Sequence, residues 1–135
     1  NEIISAGHSS GESDKIFLQH AEMKALLEAD MMQYPVKARK NMQLFVTLEP
    51  CMMCLGAATS FFVGEIYYSL ESPVDGAVDY AVKFWRQESK EIPSYTLPKM
   101  SSGILKKQSQ DLLREYIRIK NEGPLVEFSK ALILI

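Results

Sequence analysis

The stretch FVTLEPCMMCLGAA, residues 45–58, decides the fold of this chain. The apolar run from Gln43 to Leu48 is rich in β-branched and aromatic side chains and lacks polar alternation, which is typical of a buried strand. Glu-Pro ends that run, and the small and apolar residues that follow predict a helix. Cys51 falls in its first turn, where exposed amides and the helix dipole favour a thiolate, and Cys54 faces the same way.

A third residue of the metal-ligand type lies about thirty positions upstream, in His20-Ala21-Glu22. One histidine and two cysteines provide three ligands, which is the number that a catalytic zinc takes from protein, with the fourth position left for water. Glu22 is not needed as a ligand, but on a helix it can reach that water and carry its proton. We therefore predict a zinc held by His20, Cys51 and Cys54, with the catalytic carboxylate supplied by Glu22.

The simpler alternative is a structural zinc knuckle or a redox pair, because a Cys-x-x-Cys on its own is more often one of these. A closed structural site needs a fourth protein ligand. The sequence has two cysteines and two histidines, so the fourth ligand would have to be His8 or a carboxylate. The combined pattern is much rarer than its parts, and it favours the catalytic interpretation.

Together, H-x-E and P-C-x-x-C form the signature of zinc deaminases that act on nucleobases. On this signature and on residues 45–58, the chain resembles the cytidine deaminase-like superfamily, and within it most the tRNA adenosine deaminases. Residues 102–105 and 111–118 resemble that family's last helix, so the resemblance covers about residues 3 to 120. It implies an α/β fold, a three-layer α/β/α sandwich with a mixed five-stranded sheet, and a zinc at the N-termini of two neighbouring helices.

The reaction that the resemblance implies is hydrolytic deamination of an exocyclic amine on a nucleobase, with release of ammonia. We favour adenosine in a tRNA anticodon loop as the substrate, and a free guanine, cytosine or nucleoside is the alternative. A catalytically silent nucleic-acid-binding subunit is an alternative of another class, and the intact Glu22 speaks against it. A small structural zinc module is disfavoured by the chain length and by the missing fourth ligand.

Four further residues are candidate substrate contacts. The spacing in the loop before His20 equals that of the tRNA adenosine deaminases, but their loop asparagine falls on Ser9. Ser72 takes the place of the aspartate in their Ala-Arg-Asp. The last helix keeps Tyr116 for stacking and Arg118 for phosphate. We therefore expect RNA binding to be weak or altered relative to the tRNA adenosine deaminases.

The composition is that of an ordinary globular protein, with 47% hydrophobic and 24% charged residues, and residues 1–135 fit one domain. No apolar stretch approaches the length of a membrane span and no signal peptide opens the sequence, so no membrane partner is expected. Cysteines held as thiolates by a metal imply a reducing compartment, by default the cytoplasm. The net charge of −2 gives no general attraction to nucleic acid.

The remaining patterns predict elements along the whole chain. They indicate a short strand at Ile3-Ile4, a loop over 8–15, a helix over 16–35, a solvated connection over 37–40, strands over 65–70 and 94–100, helices over 77–87 and 104–120, and an arm or short helix over 121–135. Core packing is the expected role of Tyr80, Phe84 and Trp85, with base stacking as the alternative. These predictions give four strands where the resemblance implies five.

The resemblance also implies a homodimer formed through the helix after the cysteines. Phe61 and Phe62 near its end would then be an exposed patch, and the alternative is that they belong to the core. The family begins with a helix and a strand that nothing in this sequence supplies. We therefore expect further residues upstream of Asn1, because the edge of the sheet would otherwise lie open.

Overall fold

A computed structural model describes residues 2–85 and 96–135, in which helices and strands alternate from β1 to α6. The strands are β1 (Gln43–Leu48), β2 (Glu65–Leu70) and β3 (Lys99–Ser101). The helices are α1 (Gly11–Asp14), α2 (Ala21–Met31), α3 (Val36–Arg39), α4 (Met52–Phe61), α5 (Val78–Phe84), α6 (Lys106–Lys120) and α7 (Pro124–Leu132). None of these helices is long and apolar enough to cross a membrane.

The three strands form one sheet in the order β1-β2-β3, and both pairs are parallel. In the register of the sheet, Phe45 lies opposite Tyr67, and Tyr67 lies opposite Ser101. Helix α4 is the crossover that returns the chain from β1 to β2. Because parallel strands end at the same edge, the residues after Leu48 and Leu70 meet there, which is where open α/β sheets bind ligands.

The core joins β2 to helices α2, α4 and α5. Its buried members are Leu26, Ala29, Leu55, Ala58, Phe61, Val63, Ile66, Ala77 and Ala81. Helix α6 contacts β2 and α7, and α7 buries Val126 and Leu132. The α/β class expected from the sequence is confirmed. The described residues contain three parallel strands rather than a mixed five-stranded sheet.

Near the N-terminus the structure differs from the predicted elements. Ile3 and Ile4 form no strand, and the segment that contains them runs beside α2, where the Ser5 hydroxyl donates to the carbonyl of Ala25 at 2.9 Å. Helix α2 begins after His20 rather than at residue 16, because Lys15 has a left-handed backbone and His20 an extended one. In the solvated connection expected over 37–40, Lys37 and Lys40 are exposed as predicted, but the backbone is helical. Helix α3 forms there, and the guanidinium of Arg39 lies 4.5 Å above the ring of Phe61.

Other corrections concern which side chains are buried. Strand β1 alternates between exposed and half-buried residues, and Phe45, 63% exposed, stacks on Tyr67 across the outer face. Phe61 is buried, so the exposed phenylalanine patch is wrong for it. Tyr80 and Phe84 are more than half exposed and contact each other, contrary to the expected core role. The predicted helix 77–87 and strand 94–100 each extend into residues 86–95, which lie outside the described residues.

Candidate metal centre

The three predicted ligands lie at the N-termini of two neighbouring helices. His20 is the N-cap residue of α2 and Cys51 is the N-cap residue of α4, and both have an extended backbone. Cys54 lies in the first turn of α4, three residues after Cys51, and therefore on the same side of the helix. Because α2 contacts α4, the three side chains come together.

The geometry of this cluster fits a zinc ion. Its three ligand atoms lie within 4.8 Å of one another. The Nδ1 atom of His20 is 3.6 Å from the sulfur of Cys51 and 3.5 Å from the sulfur of Cys54. Tetrahedral coordination with ordinary Zn–S and Zn–N bonds would separate a nitrogen ligand from a sulfur ligand by about 3.6 Å. One imidazole and two thiolates are also donors that zinc accepts, and three protein ligands is the catalytic number.

The thiol of Cys54 is strongly influenced by its surroundings. Burial raises its pKa well above the ordinary value, and the negative charges of Glu22 and Cys51 raise it further. A metal therefore has to displace a proton from this thiol when it binds. A hydrogen bond with the side chain of Glu22 is a further cause of the raised pKa of Cys54. The carboxylate of Glu22 thus lies beside a ligand of the cluster without belonging to the three-ligand group.

The loop before His20 is held along the first turns of α2. A Cβ atom on Gly7 would lie 2.4 Å from the carbonyl oxygen of Ala21, so only glycine allows this close approach. The ammonium group of Lys24 donates to the hydroxyl of Ser10, which is buried. Ser9, between these fixed points, is exposed. Its predicted contact with substrate stays a prediction.

Ser72 lies on the turn after β2 and is buried. Its backbone N–H donates to Oε2 of Glu49 at 2.9 Å, and its hydroxyl donates to Asp75 at 2.6 Å. The side chain predicted to contact substrate therefore has a partner within its own turn. A contact between Ser72 and substrate would have to replace or share that hydrogen bond.

The two predicted contacts on α6 also have partners. The hydroxyl of Tyr116 donates to a carboxylate oxygen of Glu12 at 3.2 Å, which joins α6 to α1. Arg118 forms an ion pair with Glu115 on the exposed surface of α6. Both interactions are solvent-accessible and therefore weak. The predicted roles in stacking and phosphate binding remain predictions.

Sequence reasoning missed the role of Glu49, which is only 9% exposed. Its carboxylate accepts backbone N–H groups from Ser72 and Val78, and its own N–H donates to the carbonyl of Leu70 at 2.7 Å. A charged residue between an apolar strand and Pro-Cys was the available signal, because a carboxylate in such a position needs buried donors.

A cavity of about 300 Å³ opens at the carboxyl end of β2. Its lining includes the carboxylates of Glu49, Glu71 and Asp79 together with Tyr68. Burial raises the pKa of the Tyr68 phenol, and the charges of Glu49 and Glu71 raise it further. The three carboxylates around this one cavity repel phosphate groups from this part of the surface.

Comparison with known proteins gives consistent matches. The family model for the cytidine and deoxycytidylate deaminase zinc-binding region matches residues 1–70. A tRNA-specific adenosine deaminase from Agrobacterium fabrum is 35% identical over 77 residues, which cover 57% of this chain and 48% of that protein. The chain thus spans about half the length of that relative.

Two longer matches extend further along the chain. The tRNA-specific adenosine deaminase of Rickettsia typhi is 28% identical over 116 residues, covering 86% of this chain and 75% of that protein. Among solved structures, one from a study of A-to-I editing by tRNA:A34 deaminases at the wobble position of transfer RNA has a TM-score of 0.62. It is 24% identical and covers 82% of this chain and 77% of that chain. This structural likeness supports the fold.

Proposed function

This chain belongs to the family of cytidine and deoxycytidylate deaminase zinc-binding regions, and we propose that it is a hydrolytic deaminase of an exocyclic amine on a nucleobase. The observation that carries the proposal is the cluster of His20, Cys51 and Cys54, with Nδ1 of the histidine 3.5 and 3.6 Å from the two sulfurs. Those three residues would hold the zinc, and Glu22 beside Cys54 would act as the catalytic carboxylate.

Glu22 does the proton chemistry in this proposal. When bound, the zinc supplies a Lewis acid that makes a water molecule acidic near neutral pH. A carboxylate oxygen of Glu22 would take one proton from that water and deliver it to a ring nitrogen. It would then take the second proton from the hydroxyl that the water leaves on the ring carbon and deliver it to the departing amine. The water oxygen bonds to the ring carbon, the carbon–nitrogen bond breaks, and ammonia leaves. Glu22 ends in its starting state.

A direct test replaces Glu22 with glutamine, which keeps the shape and removes the proton acceptor. Glu22→Gln should bind one zinc per chain and lose ammonia release by about 10² to 10⁴-fold, because general acid–base catalysis contributes that much. Glu28→Gln is the matched control, since Glu28 lies on the same helix and is exposed. A Glu22→Gln variant that releases ammonia as fast as the parent would refute the proposed role of Glu22 as the proton carrier.

Adenosine in a tRNA anticodon loop is the substrate that we propose. Its support is the likeness to relatives named as tRNA-specific adenosine deaminases. A second candidate is a free base or nucleoside. It is favoured by the acidic cavity lined by Glu71 and Asp79 and by the ion pair of Arg118, which weaken binding of phosphate. The hydrogen bond of Tyr116 to Glu12 likewise weakens base stacking by that ring.

Ammonia release separates the two candidates. The substrates are an anticodon stem-loop with adenosine at the wobble position and, in parallel, free adenine, guanine, cytosine and their nucleosides. Turnover of the stem-loop that falls steeply with added salt would support the RNA substrate, because counterions compete with phosphate contacts. Turnover of a free base at millimolar concentration with none of the stem-loop would establish the second candidate.

We further propose a homodimer that pairs through α4 in a reducing, cytoplasmic setting. The exposed side of α4 supports the pairing. Met52 is 53% exposed, Ser60 is exposed, and a Cβ atom on Gly56 would meet nothing within 4 Å. Such a face allows a second helix to approach closely. The two thiol ligands suit a compartment in which cysteines stay reduced.

A further inference from the structure

Glu49 takes no part in the proposed chemistry, yet its carboxylate joins two segments beside the metal cluster. It lies two residues before Cys51 and is almost fully buried. Oε2 accepts the N–H of Ser72 and Oε1 accepts the N–H of Val78, both at 2.9 Å. One side chain thus fixes both ends of the turn from residue 72 to residue 78, the last of which is the first residue of α5.

The same turn is bonded to the backbone of the cysteine segment. Ala77 donates its N–H to the carbonyl of Pro50 at 3.1 Å, and Cys51 pairs with Gly76 in an antiparallel bridge. Gly76 is a tight point, because a Cβ atom there would lie 2.3 Å from Oε2 of Glu49. The carboxylate, the turn and the backbone of Cys51 therefore form one packed unit.

We propose that Glu49 is a positioning residue that fixes the backbone of Cys51 and thereby aims its thiol at the metal. The inference rests on the proposed zinc site and assigns Glu49 no contact with substrate or reacting atoms. If the carboxylate is lost, two buried N–H groups lose their acceptor and the turn can separate from Pro50 and Cys51. The thiol of Cys51 then samples more orientations, so the zinc is held less tightly.

Glu49→Gln tests this inference with little change of shape. The amide oxygen can accept one of the two N–H groups, but the amide NH₂ faces the other donor. We expect zinc affinity, measured by competition with a chromophoric chelator, to fall by about tenfold or more, as losses of supporting interactions around metal ligands do. The cobalt-substituted variant should also show a shifted ligand-field spectrum. Glu71→Gln is the control, since exposed Glu71 adjoins the same turn and loses the same charge.

Gly76→Ala is a second variant that keeps the carboxylate. Its Cβ would lie 2.3 Å from Oε2 of Glu49 and 2.6 Å from the carbonyl oxygen of Ser72, so this packed turn would have to shift. The variant should weaken zinc binding in the same direction, and the double variant should lose less than the sum of the two losses. Either variant binding zinc as tightly as the parent, with an unchanged cobalt spectrum and only a lower Tm, would overturn the inference.

The chelator assay needs no turnover, so the two proposals can fail separately. A parent that binds zinc but releases no ammonia from any base would remove the proposed deaminase and leave the role of Glu49 standing. If the parent deaminates a base and the Glu49→Gln variant binds zinc as tightly as the parent, the proposed deaminase stands and the role of Glu49 is refuted.

Discussion

Zinc binding should depend strongly on pH because of Cys54. Burial and the charge of Glu22 raise the pKa of this thiol in the metal-free fold, so it carries its proton throughout the neutral range. The zinc ligand is the thiolate, so binding has to expel that proton. Lower pH therefore weakens binding and higher pH strengthens it.

The magnitude follows from counting protons. Each proton expelled changes the affinity tenfold per pH unit, about 1.4 kcal/mol. Cys54 alone predicts a slope of about one in the logarithm of the affinity between pH 6.5 and pH 8. Isothermal titration calorimetry in buffers of different ionisation enthalpy counts the protons released, and chelator competition measures the slope. At least one proton should appear per zinc at pH 7. Zinc binding with no proton release and a flat profile would refute the reasoning.

The same pKa shift predicts how the stability of the metal-free chain depends on pH. A pKa raised by folding means that the folded chain keeps a proton that the unfolded chain releases. The stabilising effect is therefore complete below the ordinary thiol pKa of 9.0 and is lost progressively as the pH rises above it. Thermal unfolding with a chelator present should show Tm falling over this alkaline window. Cys54→Ala should remove that part of the fall, and an equally steep fall in the variant would contradict the assignment.

Three further predictions concern packing and assembly. Leu55→Ala should lower the free energy of unfolding by about 2–5 kcal/mol in urea titrations, because Leu55 is buried in the core. Exposed Met31→Ala is the control and should change it little. An equal loss of stability in both variants would contradict the assigned core. Gly64→Ala should cost about 1–3 kcal/mol because its Cβ would lie 2.0 Å from the carbonyl oxygen of Lys40, and an unchanged Tm would show that this contact is absent. Sedimentation should give a dimer that Gly56→Arg converts to a monomer, and a monomeric parent at micromolar concentration would exclude pairing through α4.

Local patterns carried most of what could be predicted. The bounds of β1 and β2 follow from apolar runs that end at Glu-Pro and at polar residues, so both strands were predicted at their observed positions. The metal cluster was predictable because its cysteines are three residues apart and its histidine belongs to an H-x-E motif with Glu22, a rare combination.

Long-range contacts account for what the sequence did not predict. The hydrogen-bond partners of Glu49 lie 23 and 29 residues away, so nothing near it in the sequence identifies them. The start of α2 is marked by the extended backbone of His20, and the apolar pattern that begins at residue 16 does not reveal this break. The exposure of Tyr80 and Phe84 depends on which face of α5 meets the core, and aromatic content alone does not determine that.

The arrangement of β1, α4 and β2 has a consequence for the order of folding. These three elements occupy the continuous stretch 43–70, and contacts between elements close in sequence form faster than distant ones. Both thiols lie inside this stretch, whereas His20 lies outside it, at the N-cap of α2. We therefore expect a nascent chain to expose a Cys-x-x-Cys pair before the imidazole docks beside it. Zinc binding by all three ligands would then be a late event in folding. Before His20 joins the two cysteines, their thiols would be most exposed to oxidation.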